Sequence, residues 1–160
     1  MAVNAFKPHL VIVPEDDANK ALAIEFFLKL PDMPVRAYQV EPVAGGWLSA
    51  RERLLQLCRT MTRFPERHVL VLVDFDESAD RRDHVVEVVP EALRDRVFVL
   101  GVWSEPEALQ SAHGHAKLAA IGHALARECD EGGALWQHAL LAHNAPEVAR
   151  LRPFLGRLRS

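Results

Sequence analysis

A chain of 160 residues is long enough to bury one sizeable core without disulfide or metal staples. Its 49% hydrophobic and 26% charged residues exclude the disordered and fibrous classes. A formal net charge of −3 gives no overall attraction to nucleic acid or to an anionic membrane, so any such contact has to rest on a local patch.

Residues Met1 to Pro8 carry neither the basic start nor the long apolar stretch of a secretory leader. Leu10 to Val13 is an uninterrupted apolar run, read as a strand buried on both faces. After Pro14-Glu15-Asp16-Asp17, the segment Ala18 to Leu30 sets Ala21, Leu22, Ile24, Phe26, Phe27, Leu28 and Leu30 on a broad apolar helical face, and Pro31 ends it. Val35 to Val40, interrupted by Arg36 and Gln39, reads as a half-exposed or edge strand. Trp47 to Phe64 repeats the helical pattern with Leu48, Leu54, Leu55, Leu57 and Met61, and stops at Pro65. Val69 to Val73 is a second buried strand, closed by Asp74-Phe75-Asp76-Glu77. Asp80 to Arg94 predicts a weaker helix, burdened by Val85, Val86, Val88, Val89 and Pro90. Val97 to Val102 is the last strand.

Beyond it, Pro106 to Ala112, Ala116 to Cys129, Ala134 to His143 and Pro146 to Leu158 read as helices, divided by Gly114 and by Gly132–Gly133. Strand alternating with helix predicts an α/β fold: a three-layer, Rossmann-like parallel sheet of about four strands, with helices on both faces and a helical C-terminal extension. No repeat or low-complexity linker divides the chain. One domain over 1–160 is expected, its core at about 9–110 and its extension at about 111–160. Two isolated cysteines, Cys58 and Cys129, define neither a zinc site nor a stapled secreted scaffold, so a cytoplasmic setting is expected.

In an open parallel sheet, chemistry gathers at the carboxyl ends of the strands. The first strand ends in Glu15-Asp16-Asp17 and the third in Asp74-Phe75-Asp76-Glu77. If these strands are neighbours, the carboxylates converge, and like charges in a small volume need a cation to stay ionised. A hard divalent ion with oxygen ligands, Mg²⁺ or Mn²⁺, suits them. In an extended Asp-x-Asp, Asp74 and Asp76 share a face about 7 Å apart while Phe75 points into packing. Asp17 and Asp80 are expected only to cap the helices that follow.

A glutamate ending strand one, then helix, weak strand, helix, and an Asp-x-Asp ending strand three resembles the Toprim family over roughly residues 9 to 110. That resemblance implies metal-dependent phosphodiester chemistry, most simply that of a nuclease, in which Glu15 is a metal ligand or general acid/base and Asp74 and Asp76 hold the ion. The chain departs from the family pattern at Asp16, where glycine is frequent, and at Asn19, where an acid is frequent. Gly45–Gly46 resembles a glycine pair after strand two in small Toprim proteins. Ser104-Glu105-Pro106-Glu107 is similar to a further acidic element of the OLD-type nucleases, which implies that Glu107 supports a second metal and that Lys117 stabilises the transition state. Read from local rules instead, Ser104 and Glu107 form a capping box, and Lys117 is a solvated helix residue.

Arg51, Arg53, Arg59, Arg63 and Arg67 stud the second helix and its exit, and Arg150, Arg152, Arg157 and Arg159 crowd the last. Such patches suit a phosphate backbone, so nucleic acid is the expected partner. They equally suit solvated faces with acidic neighbours. The eight histidines include His113-Gly114-His115 but lack a cysteine partner, so zinc is not expected. Trp47, Trp103 and Trp136 are too dispersed for a stacking platform. Two other functions compete. One is a receiver-like signalling module that accepts a phosphoryl group on a strand-three aspartate. The other is a non-catalytic Toprim-like subunit that assembles with itself or a partner through the C-terminal helices.

Overall fold

The apolar runs form four parallel strands in the computed structural model, which describes residues 2–130 and 133–160. Met1, Glu131 and Gly132, the last from the dividing glycine pair, lie outside the described residues. The strands are β1 (His9–Pro14), β2 (Tyr38–Val40), β3 (Arg67–Leu72) and β4 (Val97–Leu100), in the order β2-β1-β3-β4. Ile12 pairs with Val40 on one side and with Leu70 on the other, and Leu70 pairs in turn with Phe98. The expected α/β class therefore holds, and β1 and β3 are neighbours.

Apolar residues fill both faces of each central strand because both faces are covered. Val11, Val13, Val69, Val71, Val97 and Val99 face one helical layer, made by α2 (Trp47–Met61), α3 (Arg81–Val86) and the 3-10 turn Glu91–Arg96. Leu10, Ile12, Leu70, Phe98 and Leu100 face the other layer, made by α1 (Asp17–Lys29), α5 (Leu118–Cys129) and α6 (Ala145–Arg159). Each such side chain contributes roughly 1.5–3 kcal/mol by leaving water. The segment beyond β4 thus supplies much of one core layer. Where α5 crosses α1, Gly122 allows close approach: a Cβ there would lie 3.0 Å from Glu25 Cβ and 3.1 Å from the Leu22 carbonyl.

Several elements are shorter than their patterns predict. The helix expected over Asp80–Arg94 stops at Val86 and resumes as a 3-10 turn after Pro90, which lacks the N–H a continuous helix needs. The strand expected from Val35 keeps only Tyr38–Val40, because Pro34 starts a turn closed by the Ala37 N–H. Ala134–His143 is not one helix but two 3-10 turns, Ala134–Gln137 and Ala142–Asn144. Between them the Leu140 carbonyl accepts the Trp103 N–H, which draws the backbone across the end of β4. On α1, Ile24 and Leu28 face outward instead of into the core.

The free edge of β4 is covered by side chains. The Glu147 carboxylate accepts the Val99 N–H at 2.8 Å, and Asn144 both accepts from the Gly101 N–H and donates to the Gly101 carbonyl. Arg150 donates to the Val97 carbonyl and, at 2.5 Å, to Glu147. Arg82 reaches the same carboxylate. These groups occupy the positions that a fifth strand would pair with. No helix among the described residues is long and apolar enough to cross a membrane.

Candidate metal centre at the carboxyl edge

Strand order reverses between β1 and β3, and ligands bind in the crevice at such a switch point. Glu15 leaves β1 there, still paired through its N–H to the Leu72 carbonyl. Its own carbonyl accepts from Gly45 and Gly46 at 2.9 and 3.3 Å. Those glycines sit at φ +92 and +127, a conformation that other residues resist, while a Cβ at either would meet nothing. The glycine pair is therefore a conformational requirement that fastens the Glu15 backbone.

Each of three carboxylates at this edge has one oxygen engaged. Glu15 Oε2 accepts the Asp74 N–H at 2.6 Å. Asp74 Oδ1 accepts from Asn19 Nδ2 at 2.9 Å. Asp76 Oδ2 accepts from Arg81 Nη1 at 3.2 Å. The remaining oxygen of each makes no hydrogen bond among the described residues. Asn19, only 2% exposed, also bonds Asp16 Oδ1 through its side chain and its backbone N–H. Asp16, not Asp17, therefore caps α1, because its extended backbone aims its carboxylate at the first turn. Asp80 stands at the start of α3 and makes no side-chain cap.

Phe75 packs into the core as the alternation required, but the extended conformation ends with it. Asp76 and Glu77 adopt φ +48 and +59. Their N–H groups donate to the carbonyls of Ser104 and Trp103, so the loops after β3 and β4 are laced together. Arg81, 9% exposed, ties this loop from below through Nη1 to the Asp74 carbonyl at 3.0 Å, and its guanidinium lies 4.4 Å from the Trp47 ring centre.

Crowding shows in the acidities. Burial pushes the Asp74 carboxyl up to about 7, against the Asn19 hydrogen bond, with Glu15, Asp16 and Asp76 adding repulsion. Burial also raises Glu15, partly offset by the Asp74 N–H, while Asp16 and Asp76 raise it further and Arg81 lowers it. A divalent cation relieves this repulsion, and the donor set, all oxygen, suits Mg²⁺ or Mn²⁺. No trio of acidic, imidazole or thiolate groups is already drawn around one point among the described residues.

The edge thus brings together Glu15, Asp16, Asp74 and Asp76. Glu107, in the first turn of α4 (Pro106–Ala112), and Lys117, preceding α5, are both exposed, and no hydrogen bond or ion pair joins either to this cluster among the described residues. The Ser104 capping box does not form: Pro106 starts α4 after Glu105, and the Ser104 hydroxyl is buried without a partner. Most arginines of the two basic stretches are engaged internally. Arg51 pairs with Glu87, Arg53 with Glu41, Arg150 with Glu147, Arg157 with Glu66 and Arg159 with Asp130. Arg59 and Arg63 are exposed and make no ion pair among the described residues.

Sequence reasoning missed Arg81 and undervalued Asn19. A basic residue closing the run Asp74 to Asp80 was the available signal for the first. The i, i+3 spacing of Asp16 and Asn19 was the signal for the second. Comparison with models of known families, with curated proteins and with solved structures finds no significant match to this chain.

Proposed function

We propose that this chain is a Mg²⁺- or Mn²⁺-dependent enzyme acting on phosphodiester bonds, most simply a nuclease of Toprim type. The observation that carries the reading is that Glu15, Asp74 and Asp76 stand on one sheet edge at the switch point, each with one oxygen fixed and one open. Those three residues are assigned as the ligands, and their partners Asn19, Arg81 and the Asp74 N–H as the groups that orient them. A divalent ion held there supplies Lewis-acid stabilisation of charge on a phosphoryl oxygen. With only one oxygen open, Glu15 serves through it as a ligand of the ion or as the base for an attacking water, not as both at once.

The test is calorimetric titration of Mn²⁺ into native protein and into an Asp74→Asn, Asp76→Asn double variant, followed by a cleavage screen on single- and double-stranded DNA and RNA. Saturable binding and cleavage, both lost in the double variant, are expected. Equal binding in the two proteins overturns the assignment.

A phosphoacceptor role for Asp74 is the competing reading, favoured by the β2-β1-β3-β4 order, which receiver domains begin with. Against it, the described residues contain no fifth strand, and side chains occupy the edge where one would pair. Intact mass after incubation with acetyl phosphate separates the two: the metal-centre reading expects no added phosphoryl group.

A further inference from the structure

We propose that the cavity between α1, α5 and the sheet is a binding site for a small apolar ligand carrying one hydrogen-bond donor, the chemistry of a short-chain alcohol, with Asn19 Oδ1 receiving its hydroxyl. The inference goes beyond the metal-centre reading and does not rest on it.

The cavity measures about 70 Å³ and is partly open to solvent. Packed interiors leave few voids larger than one water molecule. Its walls are apolar: Phe26 of α1, Leu109 of α4, Leu125 of α5, and Trp136 and Leu141 from the stretch that follows α5. Trp136 and Phe26 meet edge to face with ring centres 6.3 Å apart, and the indole N–H is anchored on the Leu125 carbonyl at 2.9 Å. That wall is held by contacts of its own, which keep it from relaxing into the space.

Polar groups on the lining decide what can enter. The Asn144 amide is spent on both backbone groups of Gly101. Asn19 Nδ2 is shared between Asp16 Oδ1 and Asp74 Oδ1, each at 2.9 Å. The amide plane then turns Oδ1 away from those carboxylates. Oδ1 accepts nothing among the described residues, although Asn19 lines the cavity and is only 2% exposed. One acceptor is therefore open among the lining side chains. A water held in a cavity needs about two to four polar partners, so water fills this space poorly. A hydrocarbon chain fills it well, and a single donor at the end of that chain completes Asn19. An apolar cavity of roughly 150 Å³ accepts benzene, so a volume of about half that suits about three or four carbons.

The test is a titration of 1-butanol into native protein, followed by NMR of the leucine methyl and tryptophan indole N–H signals. Saturable shifts at Leu109, Leu125, Leu141 and Trp136 are expected at low millimolar butanol. Methyl propyl ether, an isomer of butanol without the donor, is expected to bind about fivefold more weakly. Ala23 lines the cavity, and Ala23→Leu sends a larger side chain into it. That variant, shown by a thermal melt to be folded, is expected to bind butanol at least about tenfold more weakly because the chain loses its place. No saturable shift at the four named residues overturns the inference. Equal butanol affinity in folded Ala23→Leu places the ligand elsewhere and overturns it too. Ether binding as tight as that of butanol overturns the role of Asn19. If Ala23→Leu does not fold, nuclear Overhauser contacts between butanol and the Leu125 and Trp136 protons of native protein decide, and their absence overturns the site.

Discussion

Asp74 illustrates how a functional group is kept at a cost to the fold. Its carboxyl titrates near 7 in the folded chain against an ordinary value of 3.8, with burial as the main cause. Between those two values the folded state holds a proton that the unfolded state has released. Stability therefore falls as pH rises from about 4 through about 7. Asparagine at this position keeps the acceptor for Asn19 and removes the charge. Asp74→Asn is expected to stabilise the protein by about 2 kcal/mol at pH 8, half of the full shift because the group is only partly buried, and to change nothing at pH 4. Thermal melts at the two pH values measure this, and equal effects at both exclude Asp74 as the strained group. Residue identity at this edge was legible in the sequence, since acids ending two adjacent apolar runs can hardly serve a core. What Arg81 and Asn19 do was not legible, because their bonds to Asp76 and Asp74 depend on a left-handed turn and on strand order.

At the scale of elements, the three apolar strands β1, β3 and β4 were readable from their uninterrupted runs, and the two helical layers followed from their coverage on both faces. The failures differ in origin: Pro34 and Pro90 act locally on their segments, whereas the stretch after α5 yields to competition for its backbone groups. Where a segment's backbone groups are claimed by side chains, its own periodicity no longer decides its shape. The Leu140 N–H goes to His138 Nδ1 rather than to the Trp136 carbonyl, and His138 itself is extended at ψ 145, so Ala134–His143 does not form a continuous helix. The same competition explains the edge of β4, whose partners are side chains 43 to 53 positions away and invisible to any local pattern. Asn144 is the most exacting of them, as it satisfies both polar groups of Gly101. Asn144→Ala is expected to cost about 2–3 kcal/mol by leaving a buried N–H and carbonyl unpaired. Urea unfolding measures it, and a loss below about 0.5 kcal/mol shows that water replaces the amide.

For the whole molecule, the metal centre and the fold are linked through the same carboxylates. An ion that binds only the native state raises the melting temperature, and the proton on Asp74 competes with it. Mn²⁺ affinity is expected to be about tenfold lower at pH 6 than at pH 8, with more protons released from the protein on binding at the lower pH. Calorimetry in two buffers of different ionisation enthalpy reads both quantities. A flat pH profile places the ion elsewhere. The side-chain cover of β4 carries a further consequence, for the order of events during synthesis. Asn144 and Glu147 follow the strand they protect by more than forty positions, so a nascent chain that has already made its four strands still exposes a sticky edge. The sheet becomes safe from mispairing with a neighbouring chain only when α6 emerges, which makes that helix the closing step of folding rather than an appendage to it.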